Sequence, residues 1–224
     1  MLLALNISLS FGQTEQIFNV KETKAKGFFS RKMKLTKPTH AFYEDSLYTC
    51  SCKCYGEWGG SISLEEKKSQ SPLKLTFSAS CPVNVVAYHG KYIVTNTLAH
   101  LSGFSSVEEI DLRDSLSMQR WMAVLAEDPN LHLTAEILLD EIGVLTLGSF
   151  VYQDQLYQVV TDFEKTYVAK IQDKKFEFVQ LISNISMRSY DLKKFLTDEG
   201  HSIVFFKNAK AKGYLDIFET IFNW

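Results

Sequence analysis

The chain has 224 residues, 46% of them hydrophobic and 22% charged, a balance that supports a buried core and excludes a disordered chain. Lys and Arg number 24 against 26 Asp and Glu, for a formal charge of −2. No global positive field is available to neutralise a phosphate backbone, so nucleic acid is not an expected partner.

From Met1 to Gln13 the chain runs as a short apolar stretch closing on small residues, the pattern of the hydrophobic region and cleavage end of a secretory signal. No Lys or Arg precedes it, so the charged start of that pattern is missing. The expected organisation is a signal-peptide remnant over residues 1–13, a polar lead over 14–39 and a single domain over 40–224. The expected location is secreted, periplasmic or at the cell surface. No later stretch approaches the roughly 18 uninterrupted apolar residues of a spanning helix, so no membrane span is expected.

From His40 onward the chain is a series of short alternating runs rich in Tyr, Phe, Val, Ile and Thr, broken by two- or three-residue polar turns. That pattern predicts antiparallel strands. Hairpins are predicted around Asp45, Gly90, Asp154 and Asn208, each with an aromatic residue ending one strand before a tight turn. These turns lie 45, 64 and 54 residues apart, near the 40–50-residue period of propeller blades once insertions are allowed. After the third turn, runs beginning at Leu156, Thr166 and Phe176 predict a meander, and the run from Gly213 to Phe218 is expected to complete a blade and latch the ring.

Two stretches break the pattern. Residues 117–126 carry apolar side chains at helical spacing, and residues 189–196 follow an N-cap candidate, Ser189, and end near Gly200, so both predict short helical insertions. Residues 135–142 are ambiguous in period, and the following Gly143 with the surrounding strands favours a strand.

These hairpin units, together with the segment Tyr55-Gly56-Glu57-Trp58-Gly59-Gly60, Cys81-Pro82 and the run from Leu98 to Phe104, resemble blades of secreted bacterial proteins of the β-propeller type. The resemblance runs from about His40 to the end and implies an all-β, propeller-like array of antiparallel meanders, about 4–5 blades by the repeat length, in an exported protein. It brings no catalytic residues, because the chain has no Trp-Asp dipeptide, no kelch double glycine with its aromatic partners and no Asp-box.

Cys50, Cys52 and Cys54 alternate along one predicted strand and so project from one face, with successive residues about 6.5–7 Å apart. The fourth cysteine, Cys81, follows a predicted hairpin whose turn lies between Glu65 and Pro72. In an oxidising compartment the first expectation is a disulfide from Cys81 to one of the three, since cysteines two apart on a flat strand are poorly placed to bridge each other. The alternative is a metal site in which Cys52, Cys54 and Cys81 converge on an ion, joined by His100. One-residue gaps match ordinary zinc spacing weakly.

The loop from Tyr55 to Gly60 is the leading ligand-binding candidate. Its three glycines relax the backbone, Tyr55 and Trp58 offer flat aromatic surface, and Glu57 supplies a carboxylate. The alternative is a tight or bulged turn with Trp58 covering a strand edge. His100, before Ser102-Gly103, is expected where a loop presents it to the same mouth, whereas His89 is expected to be a turn residue only. Glu108-Glu109, Asp111 and Asp140-Glu141 are read as a solvated acidic strand edge.

No Gly-x-Ser-x-Gly elbow, His-Glu-x-x-His helix, phosphate loop or dinucleotide fingerprint occurs, so the usual hydrolase, metalloprotease and nucleotide readings lack support and no cofactor is expected. The favoured expectation is an exported binding module whose ligand, a protein, a peptide or a glycan, meets Tyr55, Glu57, Trp58 and His100. The alternatives are a metal-binding protein or enzyme using the Cys/His/Glu cluster, and a structural surface component.

Overall fold

A computed structural model describes residues 17–20, 42–67, 74–112, 135–188, 195–196, 202–207 and 212–217. Within these residues the protein is all-β. The first sheet holds β1 (Tyr43–Glu44), β2 (Tyr48–Cys54), β3 (Gly60–Glu66) and β4 (Lys74–Ala79), and the second holds β5 (Pro82–Tyr88), β6 (Lys91–Leu98), β7 (Phe104–Ile110) and β8 (Glu136–Ile142). The third contains β9 (Leu145–Tyr152), β10 (Gln155–Thr161), β11 (Thr166–Gln172) and β12 (Lys175–Ser183). Each is an antiparallel meander in which strands pair in chain order. A three-stranded sheet follows, built from β13 (Phe195–Leu196), β14 (Ser202–Lys207) and β15 (Lys212–Ile217).

The hairpin turns fall where the polar breaks predict them. His89 and Gly90, Gln153 and Asp154, and Asp173 and Lys174 all have positive φ at both central positions. Two such residues form the tight reversal whose twist matches that of the flanking strands. The ambiguous stretch 135–142 forms β8.

The helical reading of residues 189–196 fails where it can be compared. Phe195 and Leu196 pair antiparallel with Ile203 and Ser202, so strand partners override the local period, as tertiary context does for weak helix signals. The helix expected over 117–126 and the signal-like run over 1–13 lie outside the described residues. So does the turn near Asn208, although β14 and β15 on either side of it pair as a hairpin. The only described helical turn is the 3₁₀ segment Gly56–Trp58, and no described helix is long and apolar enough to cross a membrane.

Successive sheets pack through apolar faces, the way sheets bury surface that a single layer leaves exposed. Ile62, Leu64, Leu75 and Phe77 of the first sheet share a core with Val85, Tyr92 and Val94 of the second. Ile93, Val107 and Leu139 of the second meet Leu156, Ile171 and Phe176 of the third. Leu147 and Val159 of the third are flanked by Leu215 and Ile217 of the fourth. Thus β15 pairs with β14 and also packs on the third sheet.

A buried polar seam sets the register of the second sheet against the third. Asn84 Oδ1 accepts from the Ser149 amide at 2.7 Å, and Ser149 Oγ donates to Gln158 Oε1 at 2.7 Å. Thr97 Oγ1 donates to the Thr146 carbonyl at 2.7 Å, and Ser105 Oγ to the Val144 carbonyl at 2.9 Å. Sliding one sheet would strand several buried donors and acceptors at once, each costing about 1–3 kcal/mol.

This register brings equivalent turns side by side. At one end, His89 Nε2 lies 2.8 Å from Asp154 Oδ1, joining the β5–β6 and β9–β10 turns. At the other, Gly103 in the β6–β7 loop packs against the Phe163 ring in the β10–β11 loop. The candidate site is at this second end.

Candidate functional site

The first wall of the site is the β2–β3 loop. Cys54, the last residue of β2, is bonded to Cys81, just before β5, with their Cα atoms 4.8 Å apart. Gly60 makes this closure feasible. It pairs with Cys54 on one side and Ala79 on the other, and a Cβ there would overlap the Lys53 carbonyl and lie 2.8 Å from the Ser80 carbonyl. Only glycine lets those backbones approach. Between the disulfide and Gly60, the Tyr55 amide donates to the Gly59 carbonyl at 2.8 Å and the Gly59 amide to the Gly56 carbonyl at 3.1 Å. The loop is therefore closed by its own backbone, and its side chains face outward. Trp58 is 84% exposed and Tyr55 60%.

The second wall is the β6–β7 loop, where the Gly103 amide donates to the His100 carbonyl at 2.9 Å. Residues 55–58 and 98–100 together line an open depression of about 410 Å³. Across it, His100 Nδ1 lies 3.4 Å from Glu57 Oε2, both side chains being about half exposed. All four residues singled out as ligand contacts, Tyr55, Glu57, Trp58 and His100, thus line one depression. Leu98 and Ala99 also line it, and the neighbouring Leu101 is 89% exposed. The sequence does not mark these three as ligand contacts, because short apolar residues at a strand end carry no chemical signature.

The arrangement offers two largely exposed aromatic rings beside a carboxylate and an imidazole on one depression. Aromatic faces grip apolar ligand surface, and the polar pair orients a ligand by hydrogen bonds.

The cysteines divide sharply. The pairing of Cys54 with Cys81 leaves Cys50 buried and Cys52 partly buried as free thiols. Burial, with a smaller contribution from Cys52, pushes the Cys50 thiol up to about 12, and burial pushes Cys52 up to about 11. A metal or a nucleophilic reaction needs thiolate. Disulfide formation consumes two of the three sulfurs the metal reading requires, and the third is held protonated. Among the described residues no group of three or more His, Cys, Asp or Glu side chains is placed to share an ion.

The acidic residues are not a uniformly solvated edge. Glu108 Oε1 accepts from Asn96 Nδ2 at 2.9 Å and Ser106 Oγ at 3.0 Å. Burial raises its carboxyl above the usual range, opposed by the Ser106 bond and assisted by Asp140. Glu109 is paired with Lys91, and Glu141 Oε2 accepts from the Phe176 amide at 3.0 Å. His89 is a turn residue as expected, with positive φ, and also makes the hydrogen-bonding contact to Asp154.

No protein-family model and no curated protein matches this sequence.

Proposed function

We propose that this protein is an exported binding module, that its sheets are blades arranged propeller-fashion around an axis, and that its ligand is a glycan gripped at the β2–β3 and β6–β7 loops. Face-to-face packing of consecutive meanders and the alignment of equivalent turns support the radial arrangement. The Cys54–Cys81 bond supports an oxidising compartment. The observation that carries the ligand reading is Trp58, 84% exposed on a loop braced by a disulfide and lining one depression with Glu57 and His100. A sugar ring has an apolar C–H face to lay on the indole and equatorial hydroxyls to reach a carboxylate and an imidazole. Binding to a preorganised loop loses less conformational freedom than binding to a loose one.

The test is titration of the purified protein with a panel of soluble oligosaccharides and, in parallel, unstructured peptides. A saccharide that binds wild type and loses at least tenfold in affinity to Trp58→Ala, with the melting temperature unchanged, supports the reading. Binding of peptides alone, or saccharide binding indifferent to Trp58, overturns it.

A further inference from the structure

A second site lies on the third sheet, away from the loop depression. Residues 17–20 reach it from far along the chain. The Phe18 amide donates to Gln180 Oε1 at 2.8 Å, and Gln180 Nε2 donates back to the Phe18 carbonyl at 2.7 Å. One side-chain amide therefore satisfies both backbone groups of one residue, as a neighbouring β-strand would. The Phe18 ring sits among three others, 5.6 Å from Phe150, 5.3 Å from Tyr152 and 5.1 Å from Tyr157, edge-on to the first and last. Its neighbours in the segment contribute little burial, since Ile17 and Val20 remain 41% and 37% exposed.

This is how peptide-binding sites divide their work. Backbone pairing accepts any residue in an extended segment, and a ring-lined socket selects the side chain. We propose that the socket formed by Phe150, Tyr152, Tyr157 and Gln180 is a binding site for an extended peptide carrying a phenylalanine, occupied in cis by the chain's own segment 17–20. Two features argue that the occupant is exchangeable. The hydrogen bonds that join the described segment to the third sheet are made by Phe18, and 162 positions separate it from Gln180, so the segment is seated as a separate strand-like element, with which a peptide supplied from outside competes by effective concentration. The ligand class is distinct from that of the loop depression, and the site stands whether or not Trp58 binds a glycan.

The probe is a fluorescein-labelled synthetic peptide with the sequence of residues 14–22, followed by anisotropy against the full-length chain. The Phe18→Ala chain, whose socket is empty, should bind the peptide saturably. Wild type should bind at least tenfold more weakly, because its own segment competes. The peptide with alanine at the Phe18 position should lose at least tenfold against the Phe18→Ala chain, and adding Gln180→Ala to that chain should lower affinity as well. Equal binding to wild type and Phe18→Ala, or no saturable binding to a Phe18→Ala chain with a cooperative melting transition, overturns the proposal. If Phe18→Ala shows no such transition, Phe18→Leu replaces it: its apolar plug lacks the ring contacts, so the peptide should displace it and bind more tightly than to wild type, and binding no tighter than to wild type overturns the proposal.

Discussion

Asp45 Oδ2 accepts the Tyr92 hydroxyl at 2.8 Å, tying the first turn of the first sheet to the second strand of the next. The same carboxylate accepts the Leu47 and Tyr48 amides at 2.7 and 2.8 Å through Oδ1. One side chain thus shapes a hairpin turn and fastens two sheets together. Asp162 repeats half of this device in the β10–β11 turn, where it accepts the Glu164 and Lys165 amides and the Tyr167 hydroxyl.

Asp45→Ala should destabilise the protein by about 2–3 kcal/mol, since it removes the turn bonds and leaves the Tyr92 hydroxyl unpaired on a buried ring. Urea unfolding at neutral pH measures this. A loss below 0.5 kcal/mol, the usual range for an exposed surface change, would show that the clasp is incidental.

Asp45 also has a pH signature. Burial opposes its ionisation, yet the amides of Tyr48 and Leu47 and the hydroxyls of Tyr92 and Tyr43 outweigh it and hold the carboxyl below its usual range. A depressed folded value contributes stability that is fully present above the unfolded pKa of about 3.9 and is lost as pH falls through the folded value. The gap in melting temperature between wild type and Asp45→Asn should therefore shrink on acidification below about pH 4. A gap that stays constant from neutral pH to pH 2 would contradict the assignment.

The Cys54–Cys81 bond closes a loop of sequence separation 27, for which chain entropy gives about 3.5 kcal/mol. The Cys54→Ser, Cys81→Ser double variant should lose about that much stability and bind ligand at the β2–β3 loop more weakly. Thiol titration of denatured, unreduced protein should find two free thiols per chain, Cys50 and Cys52. Four would show that the bond is absent.

Lys174 holds φ of 61° in the β11–β12 turn, a conformation that costs a residue with a Cβ about 1–2 kcal/mol. Lys174→Gly relieves that cost and gives back part of it through the freer unfolded chain. The net expectation is a gain of up to about 1 kcal/mol, with Lys174→Val moving the other way. Chemical denaturation of the three proteins should rank them Gly, Lys, Val. The reverse order would place the strain elsewhere.

How much of this was legible in the sequence depended on distance along the chain. The turns at Asp45, Gly90 and Asp154 are local, since polar residues between alternating runs reverse a strand whatever lies opposite. The grouping of Tyr55, Glu57 and Trp58 was legible for the same reason. His100 joined them through the expectation that equivalent loops crowd together. That Cys81 bonds one of three cysteines was readable, but the choice of Cys54 turns on its position beside Gly60, a pairing between strands that spacing does not reveal. The Phe195–Leu196 strand was hidden because two residues are too few to show a period of their own, although their partners Ile203 and Ser202 lie only a few positions further on. The Phe18 socket was hidden more deeply, since nothing near Phe18 announces Gln180.

The most direct measurement of the ligand-binding account is ¹⁹F NMR of protein labelled with 5-fluorotryptophan, titrated with the saccharide panel. The chain has three tryptophans, and the Trp58 resonance is assigned by its disappearance in Trp58→Phe. The expected result is a saturable shift of that resonance alone, abolished when Glu57 and His100 are both replaced by Ala. A bound saccharide that leaves the Trp58 signal unmoved, or a panel in which nothing perturbs it at millimolar concentration, would contradict the claim that this face holds a glycan.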